Sequence, residues 1–282
     1  TTSGVIMGGV SGSGVADVAA LGSVMIPEMK KRNYDAGFSA ALVASAGSLA
    51  LILPPSIAII IYGVSNQASI GDLFLAAIAP GIVIGLGFAL YSYVYAVRHG
   101  YPTEGRVSAA EKWQRFKEAS WALMMPVIII GGIRMGVFTP TEGGAVVAVY
   151  AFLVGLFVYK EFTLADIPKI CMEAAIATAV IAAIIAATSL FGWLLTNARL
   201  PQTIAGAILG LTENKILLLL LINLMLLVVG MFLDSGPAIL LMTPILGPVA
   251  AHLGVDPVQF GLIMVINLTI GLLTPPVGTA LY

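Results

Sequence analysis

Small hydroxyl-bearing and acidic residues gather at two places in this 282-residue chain, each on glycine hinges. Ser11-Gly12-Ser13-Gly14 offers two hydroxyls in a turn tight enough to join two half-helices. Gly230-Met231-Phe232-Leu233-Asp234-Ser235-Gly236 offers a carboxylate and a hydroxyl in a comparable setting. Each is followed at a distance by a proline pair inside an apolar stretch, Leu53-Pro54-Pro55-Ser56 and Leu273-Thr274-Pro275-Pro276. Proline lacks a backbone N–H and disfavours helix at the residue before it, so carbonyls at each break lose their helical partners. In hydrocarbon every such group is costly, and irregular backbone survives only against protein or a polar cavity. Both breaks are therefore expected beside a bound solute or ion.

The chemistry on offer is the binding of ions and small anions. Unwound carbonyls with Ser or Thr hydroxyls suit hard cations of the sodium type. Candidate sodium ligands are Gly9, Ser11, Ser13, Ser56 and the backbone near Ala50 in one half, and Gly230, Gly271, Thr274 and Val277 in the other. Candidate substrate contacts are Ser11, Gly12, Ser13, Pro55 and Ser56, with Asp234, Ser235 and Pro276. Half-helix N-termini at the tips direct partial positive charge toward an anion. No Lys or Arg lies near either tip, so an anion would be held by helix ends, hydroxyls and co-bound cations. Asp234 is read as a site residue, an ionisable group at membrane depth, with an N-cap of the following helix as the alternative. Asp17 is read as a structural partner of a helix dipole. For Ser11 and Ser56 the alternative is a hydroxyl bonded back to its own helix.

These residues recur at one spacing. An offset of 221 carries Pro27 onto Pro248, Asp35 onto Asp256, Ser48 onto Thr269 and both prolines of the first pair onto the second. A weak internal repeat in a membrane protein is the trace of a secondary transporter built from two halves. Residues 1–62 form the first repeat and 216–282 the second, each a hairpin and a broken helix of a transport domain, with 63–215 as connecting and scaffold helices.

Composition places the chain in a membrane. It is 59% hydrophobic and 10% charged, against about 25% charged in soluble domains, and its mean hydropathy is +1.03. Apolar stretches at Asp72 to Val97, Gly143 to Tyr159, Met172 to Leu195 and Ile216 to Leu233 approach or exceed the roughly 20 residues of a spanning helix. About five ordinary spans and two broken units are expected, in an all-α fold. A net charge of −1 gives no reason to expect nucleic acid. The lone Cys171 excludes an internal disulfide and is expected to pack.

Ten of the thirteen basic residues, Lys30, Lys31, Arg32, Arg98, Arg106, Lys112, Arg115, Lys117, Lys160 and Lys169, fall on one side if the spans alternate. That side is cytoplasmic by the positive-inside rule. The loop at Lys30 to Tyr34 is then cytoplasmic and the equivalent Ala251 to Val255 external, so the two repeats are inverted. Residues 98–118 predict a connector with an interfacial helix from Ser108, Trp113 at its boundary. Thr139-Pro140-Thr141-Glu142 predicts a capping box.

Together, Ser11-Gly12-Ser13 with Ala16-Asp17, Pro54-Pro55-Ser56, Phe138-Thr139-Pro140-Thr141-Glu142, Gly230-Met231-Phe232-Leu233-Asp234 and Thr274-Pro275-Pro276-Val277-Gly278 resemble the large membrane subunit of tripartite ATP-independent periplasmic (TRAP) transporters. The resemblance runs along essentially the whole chain. It implies an elevator-type, sodium-coupled importer in the bacterial inner membrane that takes an organic acid, often a C4-dicarboxylate or sialic acid, from a periplasmic binding protein. It also implies a small membrane subunit and no organic cofactor. By motif, the family's substrate serines fall on Ser11 and Ser56, its acidic site residue on Asp234, and its sodium positions on Gly230, Gly271, Thr274 and Val277. Large subunits of the family have further membrane helices at both ends, so the chain reads as a fragment.

Three other functions fit parts of the pattern. A stand-alone sodium-coupled carrier of the ion-transporter type shares inverted hairpins but needs no binding protein. An ion channel also uses unwound carbonyls. A membrane hydrolase would need a catalytic cluster that the sequence lacks, since Asp17 and Asp234 sit in no protease motif and His99 and His252 fall in predicted loops.

Overall fold

Oxygen-bearing caps and proline pairs divide this apolar chain into helices. The computed structural model describes residues 7–8, 11–101, 108–211 and 214–281, and Gly9 and Arg106 fall outside them. Among the described residues every regular element is helical. The order is α1 (Gly14–Lys31), α2 (Ala36–Ser48) tightening into a 3-10 turn (Leu49–Leu51), α3 (Ile57–Ser65), α4 (Ile70–Arg98), α5 (Ala109–Arg134), and α6 (Pro140–Leu153) widening into a π turn (Val154–Tyr159). A short turn (Leu164–Asp166) leads into α7 (Ile167–Asn197), then α8 (Leu200–Leu211), α9 (Lys215–Phe232), α10 (Ser235–His252), α11 (Pro257–Leu272) and a last 3-10 turn (Thr279–Leu281).

Side-chain oxygens open most of these helices by accepting first-turn N–H groups: Asp35 for α2, Ser56 for α3, Ser69 for α4, Ser108 for α5, Asn214 for α9 and Asp256 for α11. At α6 the predicted capping box forms in full. Glu142 Oε2 accepts the Thr139 amide at 2.8 Å while Thr139 Oγ1 accepts the Glu142 amide at 3.3 Å.

Among the described residues six helical segments are long and apolar enough to cross a membrane: Ile70–Arg98, Ala109–Arg134, Pro140–Tyr159, Leu164–Asn197, Lys215–Phe232 and Ser235–His252. Ala36–Leu51 and Pro257–Leu272 are shorter, ending where the proline pairs follow. Four of the six lie within 63–215, the stretch expected to connect the repeats, and Lys215–Phe232 and Ser235–His252 form the part expected to be the second hairpin. Outward faces are apolar, as lipid requires; on α4, Val83, Leu86, Leu90, Tyr93 and Val97 are all exposed. The expected interfacial helix is not separate. It forms the first turns of α5, where Arg115 pairs with Glu111 at 2.9 Å and Lys117 lies over the Trp113 ring, and the helix runs unbroken into its apolar half. Cys171 is exposed rather than packed, and His252 ends α10 rather than lying in a loop.

The offset of 221 carries α1 onto α10 end for end, both 18 residues long. It also carries Asp35 onto Asp256 as caps and Asn33 onto Gly254, which share a left-handed φ of 62° and 65°. Pro54–Pro55 and Pro275–Pro276 are both cis.

The chain divides into two compact units, one of residues Thr1–His99 with Ile184–Tyr282 and one of Gly100–Ala183. In the first, α1 packs on α2, α9 on α11, and α10 on α3. Its core holds the fully buried Tyr62, Phe74, Leu226, Phe260 and Met264. Two of its buried polar side chains hold helices together: Tyr62 donates its hydroxyl to the Pro257 carbonyl at 2.7 Å, and Asn267 donates to the Asn223 side chain at 2.5 Å, joining α11 to α9. In the second unit α5 packs on α6, with the Tyr150 and Tyr159 hydroxyls donating to the carbonyls of Trp121 and Glu118.

Candidate functional site

At the first tip the chain leaves helix at Gly12, whose φ of +66° suits glycine. A Cβ there would lie 2.6 Å from the Pro55 carbonyl oxygen, so only glycine permits so close an approach to the break. The Ile57 amide donates to the Gly12 carbonyl at 3.3 Å. Ser11, Gly12, Ser13, Pro55 and Ser56 are thereby brought together. The Ser13 amide donates to Ser11 Oγ at 3.2 Å, and the Ser11 hydroxyl donates to Asp17 Oδ1. Ser13 is the N-cap of α1, yet its side chain caps nothing, which leaves first-turn amides of α1 open to an anion.

Ser56 is engaged differently. It is wholly buried; its hydroxyl donates to the Leu51 carbonyl at 2.5 Å and accepts the Ile59 amide at 3.3 Å. The hydroxyl thus bridges the break itself, satisfying a carbonyl that the proline pair orphaned and starting α3. The carbonyl chemistry expected at the break is partly internal.

The second tip repeats the stitch with other side chains. The Gly278 amide donates to the Met231 carbonyl at 3.2 Å. Gly230 and Gly271 meet backbone to backbone, since a Cβ on Gly271 would lie 2.6 Å from the Gly230 Cα. Thr274 follows within one turn, its amide donating to the Gly271 carbonyl at 2.8 Å and its hydroxyl to the Ile270 carbonyl at 2.8 Å. The four residues Gly230, Gly271, Thr274 and Val277 thus lie along one helix crossing and its break. Asp234 is exposed and caps α10, Oδ1 accepting the Ser235 amide at 2.7 Å, which is the N-cap alternative raised for this residue. Ser235 is buried behind it, and Pro276 and Val277 are exposed. Gly9 lies outside the described residues.

The halves interlock. α3, which follows the first break, packs on α10, which follows the second tip, and a Cβ on Gly236 would lie 3.5 Å from Ile61. Thr279–Leu281, which follows the second break, packs on α1, which follows the first tip. Among the described residues no three His, Cys, Asp or Glu side chains converge as a metal cluster. The donors are hydroxyls, carbonyls and single carboxylates, a set suited to a monovalent hard cation. Asp17 lies in the first turn of α1, where a dipole partner sits, and it is also the one buried charged side chain among the described residues, 2% exposed. A lone acid at the start of an apolar hairpin arm is its only sequence signal.

Comparison with known proteins decides the family. The whole chain, residues 1–282, matches the family described as "Tripartite ATP-independent periplasmic transporter, DctM component". The chain belongs to this DctM family. It is 46% identical over 274 residues to the isethionate TRAP transporter permease protein DctMQ of Oleidesulfovibrio alaskensis, covering 97% of this chain and 43% of that protein. It is 42% identical over 277 residues to the 2,3-diketo-L-gulonate TRAP transporter large permease protein YiaN of Escherichia coli, covering 98% of this chain and 65% of that protein. It is 42% identical over 278 residues to the sialic acid TRAP transporter large permease protein SiaM of Vibrio cholerae, covering 99% and 65%. The chain thus spans less than two-thirds of the length of each of these relatives. DctM membership and six apolar helices make it a multi-pass inner-membrane protein. Its relatives are permeases, not enzymes.

Proposed function

We propose that this chain is the core of a sodium-coupled importer of a small organic acid, such as a C4-dicarboxylate, sialic acid or similar carboxylate. The acid is delivered by a periplasmic binding protein, and the subunit works beside a small membrane subunit. The observation that carries the reading is the matched pair of stitches, Ile57 to Gly12 and Gly278 to Met231, which ties each tip to its own proline break within one unit.

The two halves have opposite orientations in the membrane, and the transport domain formed by residues 1–62 and 216–282 moves as an elevator against the remaining helices. The substrate carboxylate lies against the open N-terminus of α1 and the Ser11 and Ser13 hydroxyls, with Gly12 and Pro55 closing the backbone around it. Asp234 and Ser235, with Pro276, face the rest of the substrate; the Asp234 carboxylate accepts substrate hydroxyls and draws in sodium. One sodium sits among Gly9, Ser11, Ser13, Ser56 and the backbone near Ala50, and a second among Gly230, Gly271, Thr274 and Val277. Each sodium moved down the potential supplies about 2.3 kcal/mol per 100 mV, so two ions support considerable accumulation. The bound cations also offset the anion's charge where no Lys or Arg stands near the tips in sequence.

The test is uptake of labelled organic acids by proteoliposomes holding the full-length large subunit, its small partner and the cognate binding protein. Uptake that needs both sodium and the binding protein is expected. Sodium-driven uptake without the binding protein would instead mark a stand-alone carrier, and sodium-independent flux would refute the coupling.

A further inference from the structure

Asp17 lies in the first turn of α1 and its two oxygens have unequal surroundings. Oδ1 accepts the Ser11 hydroxyl. Oδ2 is shut off from solvent and has no hydrogen-bond partner among the described residues. Nor does Asp17 join any ion pair among them. A bare buried carboxylate oxygen is costly. Protonation does not remove the problem, because it would replace an orphan acceptor with an orphan donor. A cation does remove it, and it also cancels the charge in apolar surroundings.

A second orphan comes from the other end of the chain. Thr279 Oγ1 is likewise buried and without a partner among the described residues. The turn that carries it, Thr279–Leu281, packs on both α1 and α2. Beside Asp17, α1 is pressed against the end of α2: a Cβ on Gly47 would lie 2.8 Å from the Val18 amide nitrogen. Next to Gly47, Ser48 is 2% exposed and donates its hydroxyl to the Ser45 carbonyl at 2.9 Å, so its oxygen keeps lone pairs. The three elements pack on one another, and two of the buried oxygens they carry are unsatisfied.

We infer that Asp17 Oδ2 and Thr279 Oγ1 are ligands of a further sodium ion, held where α1, the end of α2 and the Thr279–Leu281 turn meet. This inference rests on the sodium coupling proposed above, but the site is additional to the two ion positions given there. Its ligands come from both halves, so the ion joins the first tip to the second break. Because Asp17 also holds the Ser11 hydroxyl, filling the site fixes Ser11 in place for the substrate. Ion binding therefore precedes and favours substrate binding through one carboxylate that has an oxygen for each.

The deciding experiment follows thermal unfolding of the detergent-solubilised full-length large subunit with its small partner. Sodium chloride is titrated against potassium chloride at constant ionic strength, for wild type, Asp17→Asn and Thr279→Val. Wild type should be stabilised by sodium in preference to potassium. Asp17→Asn should raise the sodium needed for half-maximal stabilisation about tenfold or more, since losing even an outer-shell partner of a metal site costs about 10–100-fold in affinity. Thr279→Val should shift it in the same direction by less. If Asp17→Asn does not fold, Thr279→Val decides alone. Wild-type sodium curves for the folded variants would overturn this site and leave the coupling standing. Absence of a sodium-specific response in wild type would overturn both.

Discussion

The Ile57 amide donates to the Gly12 carbonyl at 3.3 Å, so the first hairpin tip is fastened to the first proline break by backbone alone. The offset of 221 carries Ile57 onto Gly278, whose amide makes the corresponding bond to Met231 at 3.2 Å. The side chains around the two bonds differ: Ser11 and Ser13 at one tip, Asp234 and Ser235 at the other. A backbone device is thus kept in both halves while the side chains around it differ.

Gly12→Ala should break this stitch. It forces an alanine into φ +66° and places its Cβ 2.6 Å from the Pro55 oxygen; the conformation alone costs about 1–2 kcal/mol. Uptake should be lost with membrane insertion intact. Gly87→Ala, on an open face of α4 with nothing near its Cβ, serves as the control and should transport normally.

Asp234 both caps α10 and faces outward, and substitution separates the two roles. Asn caps as well as Asp, whereas Ala forfeits about 1 kcal/mol. Asp234→Asn should therefore unfold at the wild-type temperature yet lose about tenfold or more in uptake, the worth of a charged hydrogen bond. Asp234→Ala should lose both. Wild-type transport by the Asn variant would reduce this residue to a cap.

Gly271→Ala should loosen the crossing of α9 and α11, because the new methyl meets the Gly230 backbone at 2.6 Å. Overpacking of this kind costs about 1–3 kcal/mol. A lower unfolding temperature in detergent is expected, together with weaker sodium stabilisation. An unchanged unfolding temperature would mean that the two helices do not meet there.

Thr139→Ala should cost about 1 kcal/mol through loss of the α6 capping box and leave uptake per folded molecule unchanged. Every described residue assigned to the site lies in the Thr1–His99 and Ile184–Tyr282 unit, whereas Thr139 lies in the other. Reduced transport by the folded variant would show that the Gly100–Ala183 unit takes part directly.

The sequence by itself determined the helices and their breaks. Apolar runs at Asp72 to Val97 and Ile216 to Leu233 became Ile70–Arg98 and Lys215–Phe232, because in lipid a backbone must satisfy itself within a helix for as long as the run lasts. Thr139-Pro140-Thr141-Glu142 formed its capping box, and the proline pairs ended α2 and α11 turns because both effects act within four or five residues. Only the tertiary structure decided how the oxygens are used. It turned the Ser56 hydroxyl onto Leu51, buried Asp17 with one oxygen bare, and set the Thr279 turn against α1. In a chain so uniformly apolar, hydropathy does not distinguish a face against lipid from a face against protein. The Thr279–Leu281 turn meets α1 across more than two hundred positions of sequence, and local spacing carries no record of that contact.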